Sequence, residues 1–136
     1  MAEWSDVRAV CADLPDTIEE PERRWRVHGR PFVFERPLRR ADLAHLGDAA
    51  PADAPMGAVV PDLGAKDALV GDASGAFFTT PHFDGYPAVL VRLDAISVPE
   101  LREVVLDAWL ARAPRRLARE WLAENGPSAP RRPGQP

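Results

Sequence analysis

Phe77-Phe-Thr-Thr-Pro-His-Phe-Asp-Gly-Tyr-Pro-Ala-Val-Leu-Val-Arg-Leu93 sets an apolar arm, a dense polar and aromatic connection, and a strongly strand-forming arm in succession. Residues 76–79 and 87–93 therefore predict two strands joined by a loop over 80–86. The second strand is apolar at almost every position, which predicts a central place in a sheet; Arg92 is its exception. Pro81, Gly85 and Pro87 fix or permit particular backbone angles. The loop should therefore be ordered and present Thr79, Thr80, His82, Phe83 and Tyr86 in a defined array. Such an array suits recognition better than catalysis.

Outward from this unit, Ser97-Val-Pro-Glu100 matches a capping box with proline in the first turn. Val98, Leu101, Val105, Ala108/Trp109 and Arg112 then continue one helical face. Pro114 interrupts this helix and starts a last one with Leu117, Trp121 and Leu122 as its buried stripe. Upstream, Met56–Val60 predicts a strand ended or confined to an edge by Pro61, and Asp62 can cap a short helix to Val70. Residues 40–55, rich in Ala, Asp and Pro, predict an exposed connection with at most one helical turn. Trp25–Glu35 predicts two short strands about a Gly29-Arg30 turn, with Phe32 and Phe34 making one sheet face aromatic. Trp4, Val7, Val10/Cys11 and Leu14 share one face of a first helix that Pro15 ends. The segment 16–22 is acidic and closes on Pro21.

A chain of 136 residues with 46% apolar content supports one core and is too short for two ordinary domains. The expected organisation is a single domain over 1–126 and a disordered Pro/Arg-rich tail over 127–136. No apolar run approaches the roughly 20 residues of a membrane span, and no basic-then-apolar leader begins the chain, so a cytoplasmic protein without a membrane partner is expected. Cys11 is the sole cysteine, which excludes an internal disulfide and places it among the small core residues. The formal net charge of −4 conceals segregation. Residues 23–40 hold seven arginines against Glu35 alone, and 112–132 hold six against Glu120 and Glu124. Such blocks can neutralise phosphates if folding gathers them on one face, or can be solvated faces.

Tests for chemistry exclude more than they admit. His82 and Asp84 form a His-x-Asp pair without a third nearby ligand, so loop ordering is the expectation and no metal is. Thr79 and Thr80 lack a positioned base, and the dispersed glycines make no phosphate loop. No catalytic residue and no cofactor are therefore expected. Trp25, Trp109 and Trp121 could stack on bases, but the helical spacing of Trp109 and Trp121 reads as core. Lys66, Arg92 and His82 with Phe83 and Tyr86 remain as a possible cationic and aromatic face, against the alternative that Arg92 pairs with an internal carboxylate.

The run from Phe78 to Leu93, followed by Glu100-Leu and Asp107-Ala-Trp109, resembles the MmcQ/YjbR-like family of small bacterial proteins. Further matches in order are Leu14-Pro15, Gly29-Arg-Pro-Phe-Val-Phe-Glu-Arg-Pro, Lys66-Asp-Ala-Leu69 and Ala113-Pro-Arg-Arg-Leu117-Ala, so the resemblance covers nearly the whole of 1–126. It implies an α+β fold of the CyaY-like, double-wing kind: an antiparallel sheet of about five strands with helices mainly on one face. It also implies DNA binding without catalysis. On this reading Arg30, Lys66, Thr79, Thr80, His82, Phe83, Tyr86 and Arg92 are the expected binding residues. A protein or a small anionic ligand seated on the 79–86 loop is the alternative partner.

Overall fold

The computed structural model describes residues 1–125; the tail expected over 127–136 lies outside them. Its strands are β1 (Thr17–Glu20), β2 (Arg24–Val27), β3 (Arg30–Glu35), β4 (Met56–Val59), β5 (Phe77–Phe78) and β6 (Ala88–Val91). Its helices are α1 (Trp4–Ala12), α2 (Arg40–Leu46), α3 (Leu63–Val70), α4 (Val98–Arg112) and α5 (Arg115–Asn125). The six strands form one antiparallel sheet in the order β1-β2-β3-β4-β6-β5. The expected α+β class and antiparallel sheet are both present, with one strand more than anticipated.

That extra strand is β1. Its Thr-Ile-Glu-Glu sequence has no buried face, and Ile18 is 63% exposed. Apolar alternation, the usual mark of a strand, is therefore missing, and β1 is held through its pairing with the Arg24–Val27 strand. Glu20 forms an ion pair with Arg26, and Arg8 of α1 reaches Glu19 at 3.0 Å. The β2–β3 connection turns at His28-Gly29, one residue earlier than expected. Both residues have positive φ, 48° and 78°, as a two-residue hairpin turn of this hand requires. Residues 40–55 are also more regular than expected, because 40–46 form α2. Asp42 secures its first turn by accepting the Arg39 backbone N–H at 2.9 Å.

Strand registers sort the two sheet faces. Trp25, Val33, Ala58 and Val89 are successive cross-strand partners, all in the main core. α1, α4 and α5 cover this face, with Val7, Leu101, Val105 and Trp109 fully buried against it. The Trp109 indole N–H donates to the Pro15 carbonyl at 3.2 Å, and Trp4 stacks on Trp25 at 6.2 Å. The expected core tryptophans pack there, Trp109 fully buried and Trp121 half-buried, and Trp25 is buried with them. In α5, Leu117 and Trp121 pack on the core but Leu122 is 42% exposed, so the stripe is narrower than expected. Cys11 is fully buried, and burial first, then the Glu19 charge, pushes its thiol pKa up to about 12. That environment makes it inert packing.

The opposite face begins one residue along. Glu20, Arg24, Phe34, Gly57, Leu90 and Phe78 form a continuous cross-strand row through all the strands. The expectation that Phe32 and Phe34 share a face is corrected here. A register shift between Trp25 and Arg26 leaves Phe32 without a cross-strand partner, and both Phe32 and Val33 enter the main core. Phe34 lands alone on the other side. A second, smaller core of Phe78, Phe83, Ala88 and Leu90, with Phe34, Leu38 and Leu46 packed against it, covers the β4-β6-β5 half of this face. The β1-β2 half is left open.

Gly57 makes this arrangement possible, since a Cβ there would lie 2.3 Å from Cε2 of the Phe34 ring. Gly57→Ala must displace that ring, with an overpacking cost of about 1–3 kcal/mol. Urea denaturation should report the loss as a lower midpoint at unchanged slope.

Candidate functional site

Where the covered half of the second face meets the open half, two adjoining depressions of about 400 and 600 Å³ share Arg24, Phe34, His82 and Phe83 in their walls. Together they make a trough. Pro31, Val59 and Tyr86 complete one end; Glu22, Glu35, Arg36, Pro37 and Arg39 complete the other. Each wall has a local cause. Arg24 and Phe34 are direct cross-strand neighbours on β2 and β3, so register alone sets a cation beside a ring. His82 and Phe83 come from a 3-10 helix, Pro81–Phe83, whose proline sits in the first turn. Phe83 is buried, His82 exposed, and Tyr86 46% exposed. The His82 ring meets Phe83 edge-on at 4.9 Å, and Phe34 and Tyr86 flank Phe83 at 6.5 and 6.4 Å.

Under the trough, Arg36 is 8% exposed and Asp42 3%. The Arg36 guanidinium donates to the Asp42 carboxylate at 3.2 Å and to the Pro37 carbonyl at 3.4 Å, while the Phe83 ring lies 5.4 Å from its centre. The Arg39 backbone N–H is the main cause holding the Asp42 carboxyl below its usual range; burial opposes it, and Arg36, Thr80 and His82 add to it. Thr80 is 1% exposed, close to Asp42 without closing a hydrogen bond of ordinary length. This buried cluster ties α2 to the Pro81–Phe83 turn.

Lys66, the only lysine in the sequence, has a different place from the outward one anticipated. It is 5% exposed, and its ammonium donates to the carbonyls of Phe83 and, at 2.9 Å, Tyr86. The cation thus braces from within the loop whose rings line the trough. Arg92 follows the last residue of β6, at the opposite end of that strand from the loop. Its guanidinium lies 4.6 Å from the centre of the Phe78 ring and donates to the Ala49 carbonyl. Neither Lys66 nor Arg92 reaches the trough, and among the described residues neither forms an ion pair with a carboxylate. Arg30 is exposed at the start of β3, beyond the lining residues. Thr79 is half-buried, its hydroxyl donating to the Thr80 carbonyl at 3.5 Å. Of the expected residues, His82, Phe83 and Tyr86 come together in the trough. Arg24, Phe34, Arg36 and Arg39 were not among those expected, although three of them belong to the basic block 23–40.

Two further depressions lie away from this turn. One of about 390 Å³ includes Arg23 and Arg92, but Arg23 is paired with Glu35 at 2.8 Å and stacked over Trp4, while Glu3, Asp53 and Asp94 add negative charge. The trough also carries Glu22 and Glu35, but its Arg24 and Arg39 have no ion-pair partner among the described residues. Among those residues also, no group of three or more His, Cys, Asp or Glu side chains is placed to hold a metal, and no helix is long and apolar enough to cross a membrane.

No family model matches the chain, and no solved structure matches it. It is 46% identical over 129 residues to the uncharacterized proteins Mb2600 of Mycobacterium bovis and Rv2570 of Mycobacterium tuberculosis, covering 93% of this chain and all of each relative. The chain belongs to the family of these mycobacterial proteins.

The brace makes a signed pH prediction. Burial is the main cause lowering the Lys66 pKa beneath 10.5, with Asp84 and Asp67 opposing it. Between that lowered value and 10.5 the unfolded chain holds more protons, so this group's contribution to stability rises with pH. Lys66→Met leaves two carbonyls without their donor and should lower stability by about 1–3 kcal/mol at neutral pH. The gap between wild type and variant in chemical denaturation should widen as pH approaches 10.5.

Proposed function

We propose that this protein is a non-enzymatic binding module of the MmcQ/YjbR-like type that holds DNA in the trough between the open half of the sheet and the 81–86 turn. One observation carries the reading. Arg24, without an ion-pair partner among the described residues, stands beside Phe34 in one cross-strand row, facing His82, Phe83 and Tyr86 across the depression. Guanidinium groups position phosphates, and rings accept the faces of sugars or bases. Arg39 adds a second such cation at the far end. The Thr80 hydroxyl and the Cys11 thiol are sealed from solvent, and among the described residues no hydrogen bond joins His82 to a carboxylate.

A second reading, a small planar anion, is favoured by the size of the depression beside Tyr86, about 400 Å³. Electrophoretic mobility shift with short single- and double-stranded DNA separates the two. A retarded species that weakens as salt rises, and loses about tenfold or more in affinity in an Arg24→Ala/Arg39→Ala variant, is the expected result. Absence of any shift at low salt would remove DNA and leave the small anion.

A further inference from the structure

Resting on that reading, we infer that the trough takes unpaired bases: the ligand is single-stranded nucleic acid, gripped over a short stretch, and duplex is a poor fit. The lining decides between the two. Phe34 and Tyr86 line a depression, not a ridge, together with Arg24 and His82, and the buried Phe83 forms its floor. In a duplex the base faces are stacked on one another and the phosphates form the outer surface, so rings set in a depression would find no base to stack on. An unpaired base offers its face, can enter the depression, and leaves its own phosphate within reach of a rim cation.

The distribution of free charge agrees. Arg24 and Arg39 are the exposed arginines of the trough; Arg36 is committed to Asp42, Arg23 to Glu35, and Arg26 to Glu20. Two unpaired arginines, with Glu22 and Glu35 in the same wall and Arg112 held to the Tyr86 hydroxyl at 3.2 Å, are little cationic charge for a duplex footprint, which spreads phosphates of both strands over a broad basic face. They are enough for neighbouring phosphates of one strand passing over the rings. A cationic surface elsewhere, Arg115 and Arg119 on α5, lines none of the trough, and Glu120 there pairs with Arg116 at 3.1 Å. It serves as an internal control. Sequence preference should be weak, because stacking uses a face that every base possesses.

Fluorescence anisotropy with the full chain, a labelled oligothymidylate and the same strand annealed to its complement tests this across a salt series. Expected is tighter binding of the single strand by about tenfold or more. The dependence of log affinity on log salt should be shallow, with a slope of about −1.4 for two neutralised phosphates at roughly 0.7 each. Arg24→Ala/Arg39→Ala should flatten that slope towards zero. Phe34→Leu, which keeps apolar volume over Gly57, should lose about tenfold in affinity with the slope unchanged. Arg115→Ala/Arg119→Ala should alter neither, and thermal melts of each variant establish that it is folded. Duplex bound as tightly as single strand, or affinity lost in the α5 variant instead of the trough variant, overturns the inference while DNA binding stands. Failure of both strands to bind at low salt overturns the proposed function itself.

Discussion

Strand β6, Ala88-Val-Leu-Val91, is apolar on both sides and interior to the sheet, so each of its faces must be removed from water. Val89 and Val91 point into the main core, where α1 and α4 supply the cover. Ala88 and Leu90 point the other way and need a second cover, which comes from Phe78 and from Phe83 in the turn just before the strand. The remaining architecture follows from meeting both demands with one short chain. The helices are committed to one face, and only α2 and a 3-10 turn remain for the other. Their reach ends at Phe34 of β3, and the outer strands β1 and β2 are left bare on that side. The trough is the boundary between the satisfied and unsatisfied halves of one sheet surface.

The position of the turn depends on an internal cation. Phe83 covers Leu90 only while the 83–86 backbone is held against α3, and the Lys66 ammonium makes the two connections that hold it. Carbonyl acceptors satisfy a buried ammonium without a second formal charge, so the brace needs no partner carboxylate in the core. Asp84 and Asp67 nevertheless lie near enough to favour the charged form. On the other flank, Arg36 and Asp42 fix α2 beneath the same turn. Packing on one side and polar contacts on the other thus define where His82 and Tyr86 stand.

The division of cationic residues into structural and available ones was hidden in the sequence. Lys66 and Arg92 stand out there because each is isolated among apolar or acidic neighbours. That isolation has a physical meaning opposite to the anticipated one: a lone cation within an apolar run is drawn inward to carbonyls and ring faces. Arginines 23–40 look interchangeable as a block. Register separates them, giving Arg23 and Arg26 to glutamates and Arg36 to Asp42, and leaving Arg24 beside Phe34.

By itself the sequence determined those elements whose signals are local. The capping box at Ser97, the Asp62 cap, the continuous apolar run of β6 and the prolines that end segments each act within a few residues, and each stands where it was read. The turn that carries His82, Phe83 and Tyr86 was legible for the same reason, although Phe83 and Thr80 of the expected array face inward. Tertiary structure decided what depends on partners distant in the chain. β1 is a strand only because β2 pairs with it. Phe32 and Phe34 face opposite ways because a bulge answers to β2, and Arg24 meets Phe34 only through cross-strand register. The site combines a local turn with a non-local row of the sheet, and no pattern along the chain encodes where two strands ten residues apart will align.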